Sequence, residues 1–169
     1  MINLQGVKPF AEGGNRICFI HPGDKSLCLK VSKQEVIKKM YSNAPWYKKL
    51  RSEKSFDDNL REEKAYKQKA IKKNPEKIWQ HLAKWYAFVQ TSEGLASCTE
   101  LITNNDQIAP NLEEYLFSKG RTKEINKALK EFEIFLQETK LLTKNIIPHN
   151  LAVKESDSGL MLKIIDGLG

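Results

Sequence analysis

Cysteine, histidine and long apolar runs are scarce in this chain. The three cysteines, Cys18, Cys28 and Cys98, are odd in number and far apart, which indicates reduced thiols rather than a disulfide framework. The three histidines have no zinc-ligand spacing with them. No run approaches the roughly 20 apolar residues that cross a bilayer, and the N-terminus lacks a signal-peptide pattern. These absences predict a cytoplasmic protein with no membrane partner.

Basic residues are in excess, with 28 Lys and Arg against 21 Asp and Glu. Much of the surplus falls in segment 48–77, where a helix is predicted over residues 55–73 with Ser55 as its cap. Charges of both signs alternate along this helix, which is typical of a solvated face, whereas a nucleic-acid groove would show interleaved exposed aromatics. The pattern argues against nucleic acid, but docking of an acidic protein or nucleic acid on segment 48–77 stays open as an alternative function.

Near the C-terminus an apolar run, residues 162–165, leads into Asp166 and Gly167, sixteen residues after Asn150. In kinase-type sites an Asp that ends a strand and an Asn in the preceding loop hold the Mg²⁺ ions that bridge the nucleotide phosphates. Asp166 and Asn150 are therefore candidate metal ligands, although an Asp-Gly pair after an apolar run is also typical of an ordinary turn.

The catalytic position of the same pattern is degenerate in this chain. The kinase pattern has a catalytic Asp five positions before the metal-binding Asn, and Asn145 stands there. An amide cannot accept a proton, and general acid–base catalysis contributes typically about 10²- to 10⁴-fold. Asn145 can at most orient an acceptor hydroxyl.

A second candidate region lies near the N-terminus. Gly13 and Gly14 interrupt two strand-like segments and would let backbone amides approach a phosphate chain. Lys30 follows in an alternating strand, on the same face as Cys28, in a context similar to the V-A-I-K strand of kinases. The alternative is a plain hairpin with Lys30 extending from the strand edge.

Two further features complete a nucleotide site. In kinases a Glu from the helix after the lysine strand orients the lysine, and Glu62 is preferred here over Glu63. Strands predicted around residues 84–91 and 95–102 end in a hinge, where the backbone of three residues would contact adenine: Glu100, Leu101 and Ile102.

The order of these segments predicts an α+β, protein-kinase-like fold. An N-terminal antiparallel sheet with one helix is expected over residues 1–102, and a helical C-terminal lobe with the catalytic-type loop over residues 103–169, the whole forming one kinase-like domain. Helices are predicted at residues 112–117 and 122–142, the second with an apolar stripe through Leu129, Phe132 and Leu136.

Several stretches resemble a known family. They are residues 13–22 (GGNRICFIHP), the strand 28–31, the helix from Arg61 to Tyr66, residues 85–94 and 99–102, and the closing residues 165–169. Together they resemble the YrbL family of PhoP regulatory network proteins. The resemblance implies a bacterial cytosolic protein with a kinase-like domain, connected by regulation to low magnesium and envelope stress. Kinase folds continue beyond the metal-site Asp, so this chain departs from their pattern, and the expected helical C-terminal lobe is short and apparently truncated.

The expected function follows from these residues. The chain is expected to bind ATP with Mg²⁺ as a pseudokinase or a weak phosphotransferase, with a protein or small-molecule substrate that the sequence does not identify. Lys30 would hold phosphates, Glu62 would orient Lys30, and Asn150 with Asp166 would hold the metal. The alternative is a non-catalytic interaction module that uses segment 48–77.

Overall fold

The computed structural model describes residues 1–168. The contacts within the chain divide it into two units. The first unit contains residues 1–64 and 85–101, and the second contains residues 65–84 and the chain from 102 onward. This grouping differs from the expected boundary at 102/103, because residues 65–84 pack with the second unit.

A five-stranded antiparallel sheet forms the first unit, with strand order β1-β2-β3-β5-β4. Strand β3 is central and pairs with β2 on one side and β5 on the other. The strands are β1 (Ala11–Glu12), β2 (Arg16–His21), β3 (Asp24–Ser32), β4 (Trp85–Thr91) and β5 (Gly94–Glu100).

The two faces of this sheet differ in polarity because successive side chains in a strand alternate. One face carries an apolar core made of Leu4, Phe19, Leu29, Val31, Ala96 and Cys98. The strand residues that alternate with this apolar set point to the other face of the sheet. They include the buried polar side chains Arg16, Lys30, Ser32, Ser97 and Thr99.

The helices of the first unit are short. They are α1 (Gln34–Ser42), α2 (Trp46–Lys49), a 3₁₀ turn (Glu53–Phe56) and α3 (Asp58–Ala65). The start of α3 is held by Asp57, whose carboxylate accepts from the Asn59 N–H at 2.9 Å and from the Ser32 hydroxyl at 2.6 Å. Asp57, rather than the predicted Ser55, therefore caps the helix and ties it to the end of β3.

The prediction of one helix over residues 55–73 is wrong. The 3₁₀ turn and α3 are followed by a break, and a separate helix α4 (Lys69–Lys73) comes after it. The break coincides with tertiary contacts. The Tyr66 hydroxyl donates to the Ala83 carbonyl at 2.9 Å, and the Gln68 amide bonds both backbone groups of Leu142 at 2.8 and 2.9 Å. Such contacts outweigh the small differences in helix propensity among these residues.

The second unit combines helices with two small hairpins. Its elements after α4 are α5 (Pro75–His81), β6 (Thr103–Asn104), β7 (Gln107–Ile108), α6 (Leu112–Lys119), α7 (Lys123–Thr139), a 3₁₀ turn (Pro148–Asn150), β8 (Leu151–Ser156) and β9 (Gly159–Ile164). Helix α7 packs against β9 through the buried residues Ile125, Ala128, Phe132 and Phe135. The predicted stripe was right at Phe132, but Leu129 and Leu136 are only partly buried.

The predicted α+β class, with an N-terminal antiparallel sheet followed by helices, is confirmed. Every helix within residues 1–168 is too short or too polar to cross a bilayer.

Candidate functional site

Lys30 and Glu62 meet on the polar face of the first unit's sheet. The Lys30 ammonium lies 3.2 Å from Glu62 Oε1 and 3.4 Å from Oε2. The two residues are only 5% and 3% exposed, so the pair is shielded from solvent. The structure thus brings together the lysine and the glutamate that the sequence singled out, and it uses Glu62 rather than Glu63.

A second cation binds the same carboxylate. Arg16, at the start of β2, is 8% exposed, and its guanidinium donates to Glu62 Oε2 and to Asn59 Oδ1, the latter at 3.1 Å. Asn59 in turn donates to the Lys30 carbonyl at 2.8 Å. Glu62 is therefore held by two cations on two adjacent strands. Asn59, which lies one helical turn before Glu62, fixes α3 to the sheet.

Arg16 and Asn59 were not identified from the sequence, but a signal for both was present. Arg16 pairs with Ser32, two residues from Lys30, so strand alternation places Arg16 and Lys30 on the same face. Asn59 stands three residues before Glu62 and hence on the same side of α3.

Cys28 lies on this face as well, two residues before Lys30. A hydrogen bond with Cys18 and burial raise the pKa of the Cys28 thiol well above its usual range. Both cysteines are in the reduced, thiol form. Cys28 is consequently a neutral side chain, and the ionised groups near it are those of the Lys30 network.

The glycine turn lies between β1 and β2. Gly13 donates to the Arg16 carbonyl at 2.9 Å, which closes the turn. Neither Gly13 nor Gly14 has a positive φ, and a methyl group added at either would meet nothing closer than 3.8 Å. The fold itself therefore does not require glycine at these positions, and both are open to close approach by a ligand.

The predicted hinge residues follow β5. The Leu101 N–H donates to the Ser26 carbonyl at 2.7 Å, and the Ile102 carbonyl accepts from the Ala109 N–H at 2.9 Å. The Leu101 amide is thus already used within the protein. Contact of Glu100, Leu101 and Ile102 with adenine stays a prediction that depends on the other backbone groups of this segment.

In the second unit a polar loop precedes β8. Asn150 is 7% exposed, its side-chain amide donates to the Asn145 carbonyl at 2.9 Å, and its own carbonyl accepts from the Ile165 N–H at 2.9 Å. Because the amide nitrogen is used in holding the loop, the amide oxygen is the atom that would meet a cation. Asn145 itself is exposed.

Asp166 follows β9 beside this loop. One of its carboxylate oxygens accepts from the Gly167 N–H at 2.6 Å, and the Gly167 carbonyl accepts from the N–H groups of Lys144 and Asn145 at 3.0 Å each. Gly167 has a φ of +82°, and a Cβ there would lie 2.3 Å from the Asn145 carbonyl oxygen. Only glycine fits at this position, and the close approach fixes the Asp-Gly pair against the loop.

The family profile described as PhoP regulatory network protein YrbL matches residues 2–169, almost the whole chain. The chain belongs to this family. The resemblance stated from the sequence is therefore confirmed, and the family connects the protein to the PhoP regulatory network. No curated protein matches the chain.

Among solved structures, the chain is similar to Rad53 residues 1–466 in complex with AMP-PNP. The sequences are 15% identical, the TM-score is 0.56, and the alignment covers 95% of this chain and 37% of that one. This chain thus spans little more than a third of the length of the Rad53 chain. The match is to a protein kinase, and it shows that the fold is protein-kinase-like.

Proposed function

We propose that the protein binds ATP with Mg²⁺ through its kinase-like fold and acts as a pseudokinase or a weak phosphotransferase. The observation that carries this proposal is the buried Lys30–Glu62 ion pair on the polar face of the sheet, 3.2 Å between charged atoms. Kinase-type sites use such a pair to present the lysine to nucleotide phosphates. The similar Rad53 fold is in complex with AMP-PNP, an ATP analogue, which further supports a nucleotide as ligand.

Arg16 strengthens this assignment, because it holds Glu62 independently of Lys30. When Lys30 turns its ammonium toward a phosphate, Glu62 keeps a cationic partner and does not become an unpaired buried charge. Gly14 offers its backbone N–H to the same phosphates, and Gly13, whose own N–H is held by the Arg16 carbonyl, leaves the turn open to close approach.

The donor set of the second unit fits magnesium. Asn150 supplies an amide oxygen and Asp166 a carboxylate, and oxygen donors of this kind are those that Mg²⁺ takes, with water and substrate phosphates completing its octahedron. When bound, the ion would neutralise charge on the phosphates. Asn145 stands where kinases have an acidic base, and it is exposed. Its amide can orient an acceptor hydroxyl but cannot deprotonate it, so we expect nucleotide binding to be easier to detect than phosphate transfer.

The test is thermal unfolding with ATP, with and without Mg²⁺. A ligand that binds only the native state at a hundredfold excess over Kd adds about 2.7 kcal/mol to the free energy of unfolding. We expect a Mg²⁺-dependent rise in Tm that is lost in Lys30→Met and in Asp166→Asn. Lys30→Met retains the bulk of the side chain, and Arg16 still pairs with Glu62, so this variant is expected to fold.

Two matched controls accompany these variants. Lys25→Met removes an exposed lysine from the same strand, and Asp157→Asn removes an exposed carboxylate from the β8–β9 turn. Both should keep the wild-type response to ATP. An unchanged Tm of the folded wild-type protein at saturating ATP and Mg²⁺ would overturn the proposal.

A further inference from the structure

The segment from Trp46 to Arg51 exposes large apolar side chains. Trp46 is 76% exposed, Tyr47 56% and Leu50 79%. Single exposed apolar residues are normal on protein surfaces, but a cluster marks an interaction site. Three such residues within five positions, two on α2 and Leu50 directly after it, form a cluster that leaves large apolar side chains exposed on the first unit.

The exposure of this patch (residues 46–51) is not the result of a frayed end. The Lys48 and Lys49 N–H groups bond the Pro45 carbonyl, and the Tyr41 hydroxyl donates to the Lys49 carbonyl at 3.3 Å. Tyr41 is itself packed edge-on against the buried Phe56, 5.7 Å between ring centroids. The backbone is thus anchored to the unit while the apolar side chains point outward.

Positive charge surrounds the patch. Between residues 38 and 54 the chain has six basic residues and one acidic residue, Glu53. The six, all exposed, are Lys38, Lys39, Lys48, Lys49, Arg51 and Lys54. Basic residues interleaved with Trp, Tyr and Leu are the composition that binds anionic bilayer surfaces, since the aromatic rings occupy the headgroup level and the cations attract anionic lipid.

An anionic bilayer fits the patch better than the other acidic partners do. A stable protein interface buries about 800 Å² on each partner with 20–30 residues, whereas this patch has only six residues. Single-stranded nucleic acid is bound in a basic groove with stacked bases, but Leu50, the most exposed of the three apolar residues, cannot stack. A bilayer requires no groove, and it accepts both aliphatic and aromatic side chains.

We propose that the patch at residues 46–51 attaches the first unit to the surface of an anionic bilayer. Trp46 and Leu50 enter the interfacial region, and Lys48, Lys49 and Arg51 contact anionic headgroups. The proposal departs from the sequence-based expectation of no membrane partner, and it is independent of nucleotide binding, because none of these residues belongs to the Lys30 network.

The test is co-sedimentation of the full chain with vesicles. We expect binding to vesicles of phosphatidylglycerol and phosphatidylcholine in equal parts, and none to phosphatidylcholine alone. Each lysine near the surface contributes about fivefold in affinity, so Lys48→Gln with Lys49→Gln should weaken binding by more than tenfold. Leu50→Ser should weaken it by roughly tenfold, since burial of a leucine is worth about that much or more.

Matched controls separate this site from general attraction. Lys72→Gln with Lys73→Gln removes the same charge from α4, and Phe117→Ser removes a side chain that is 95% exposed elsewhere. Both should bind as the wild type does. Phospholipids brominated in the acyl chain should quench wild-type tryptophan fluorescence, and Trp46→Phe should lose that quenching while Trp79 and Trp85 remain.

Three results would overturn the proposal. One is a wild-type protein that does not sediment with anionic vesicles. Another is equal loss of binding in the Lys72 and Lys73 control, which would indicate attraction by net charge alone. The third is absence of vesicle binding together with quenching of Trp46 by a single-stranded oligonucleotide, which would identify a nucleic-acid site.

Discussion

The two candidate regions of this protein, the Lys30 site and the loop around Asp166, are stabilised by different interactions. In the first unit, the Lys30 site is held by buried side-chain charges, with Glu62 shared between Lys30 and Arg16. In the second unit, the loop around Asn145 and Asp166 is held by backbone hydrogen bonds, by the uncharged Asn150 amide and by one glycine. The first region should therefore be sensitive to loss of charge, and the second to added side-chain volume.

The largest expected effect is the loss of the Glu62 charge. Glu62→Gln leaves Lys30 and Arg16 buried without the carboxylate they share, and breaking a buried ion pair costs about 3–5 kcal/mol in the free energy of unfolding. Urea denaturation measures this cost. Glu35→Gln, at an exposed position on α1 of the same unit, is the control, with an expected change near zero.

The sharing of Glu62 can be tested in the same assay. Arg16→Met and Lys30→Met each leave one cation on the carboxylate, but the double variant leaves neither. The double variant should lose at least about 1 kcal/mol more than the sum of the single losses. Simple additivity would contradict a shared carboxylate.

A smaller loss is expected from a methyl group in the second region. In Gly167→Ala the new Cβ would meet the Asn145 carbonyl oxygen at 2.3 Å and the Asn150 amide at 2.8 Å, and the residue has a φ of +82°. We expect a loss of about 3 kcal/mol. Gly120→Ala separates the two causes, because Gly120 has a φ of +71° in the same unit but nothing within 4 Å of its added Cβ. Its expected loss, from backbone strain alone, is about 1–2 kcal/mol, and an equal loss in both variants would show that the close approach has no energetic consequence.

The smallest effect depends on pH. His81 packs against Phe135, 4.5 Å between ring centroids, and its Nδ1–H donates to the Leu162 carbonyl. Burial lowers the pKa of His81 below its ordinary value of 6.5. Because the native state resists a proton that the unfolded chain accepts, stability should fall as pH drops below about 6.5.

Thermal unfolding across this pH range measures the dependence. His81→Asn, which keeps a donor for Leu162 but does not titrate, should flatten the curve below pH 6.5. If the His81 variant had the wild-type slope, the pH dependence would come from other groups.

Much of the first region could be predicted from local rules. Strand alternation places Lys30 on the face opposite Leu29 and Val31, and the helix that follows has a glutamate within reach. The second cation was missed because Arg16 lies fourteen residues earlier, and its nearness to Lys30 depends on the register between β2 and β3. Register depends on how two strands pair, and the sequence of either strand alone does not determine it.

The prediction of one helix over residues 55–73 was wrong for a related reason. Its composition is helical, but Tyr66 and Gln68 bond Ala83 and Leu142, residues that are distant in sequence. Each of these hydrogen bonds contributes about 1 kcal/mol, more than the differences in propensity that favour one continuous helix. Local preference therefore gave way to contacts that only the folded unit provides.

The sequence by itself determined the family and the α+β order of elements, and it singled out the lysine, glutamate, asparagine and aspartate of the two regions as candidates, because these depend on local patterns of polarity and spacing. Tertiary structure decided which groups share the Glu62 carboxylate, why position 167 accepts only glycine, and which apolar side chains remain exposed at residues 46–51. Burial, close approach and shared hydrogen bonds are relations between distant residues, and they exist only once the chain has folded.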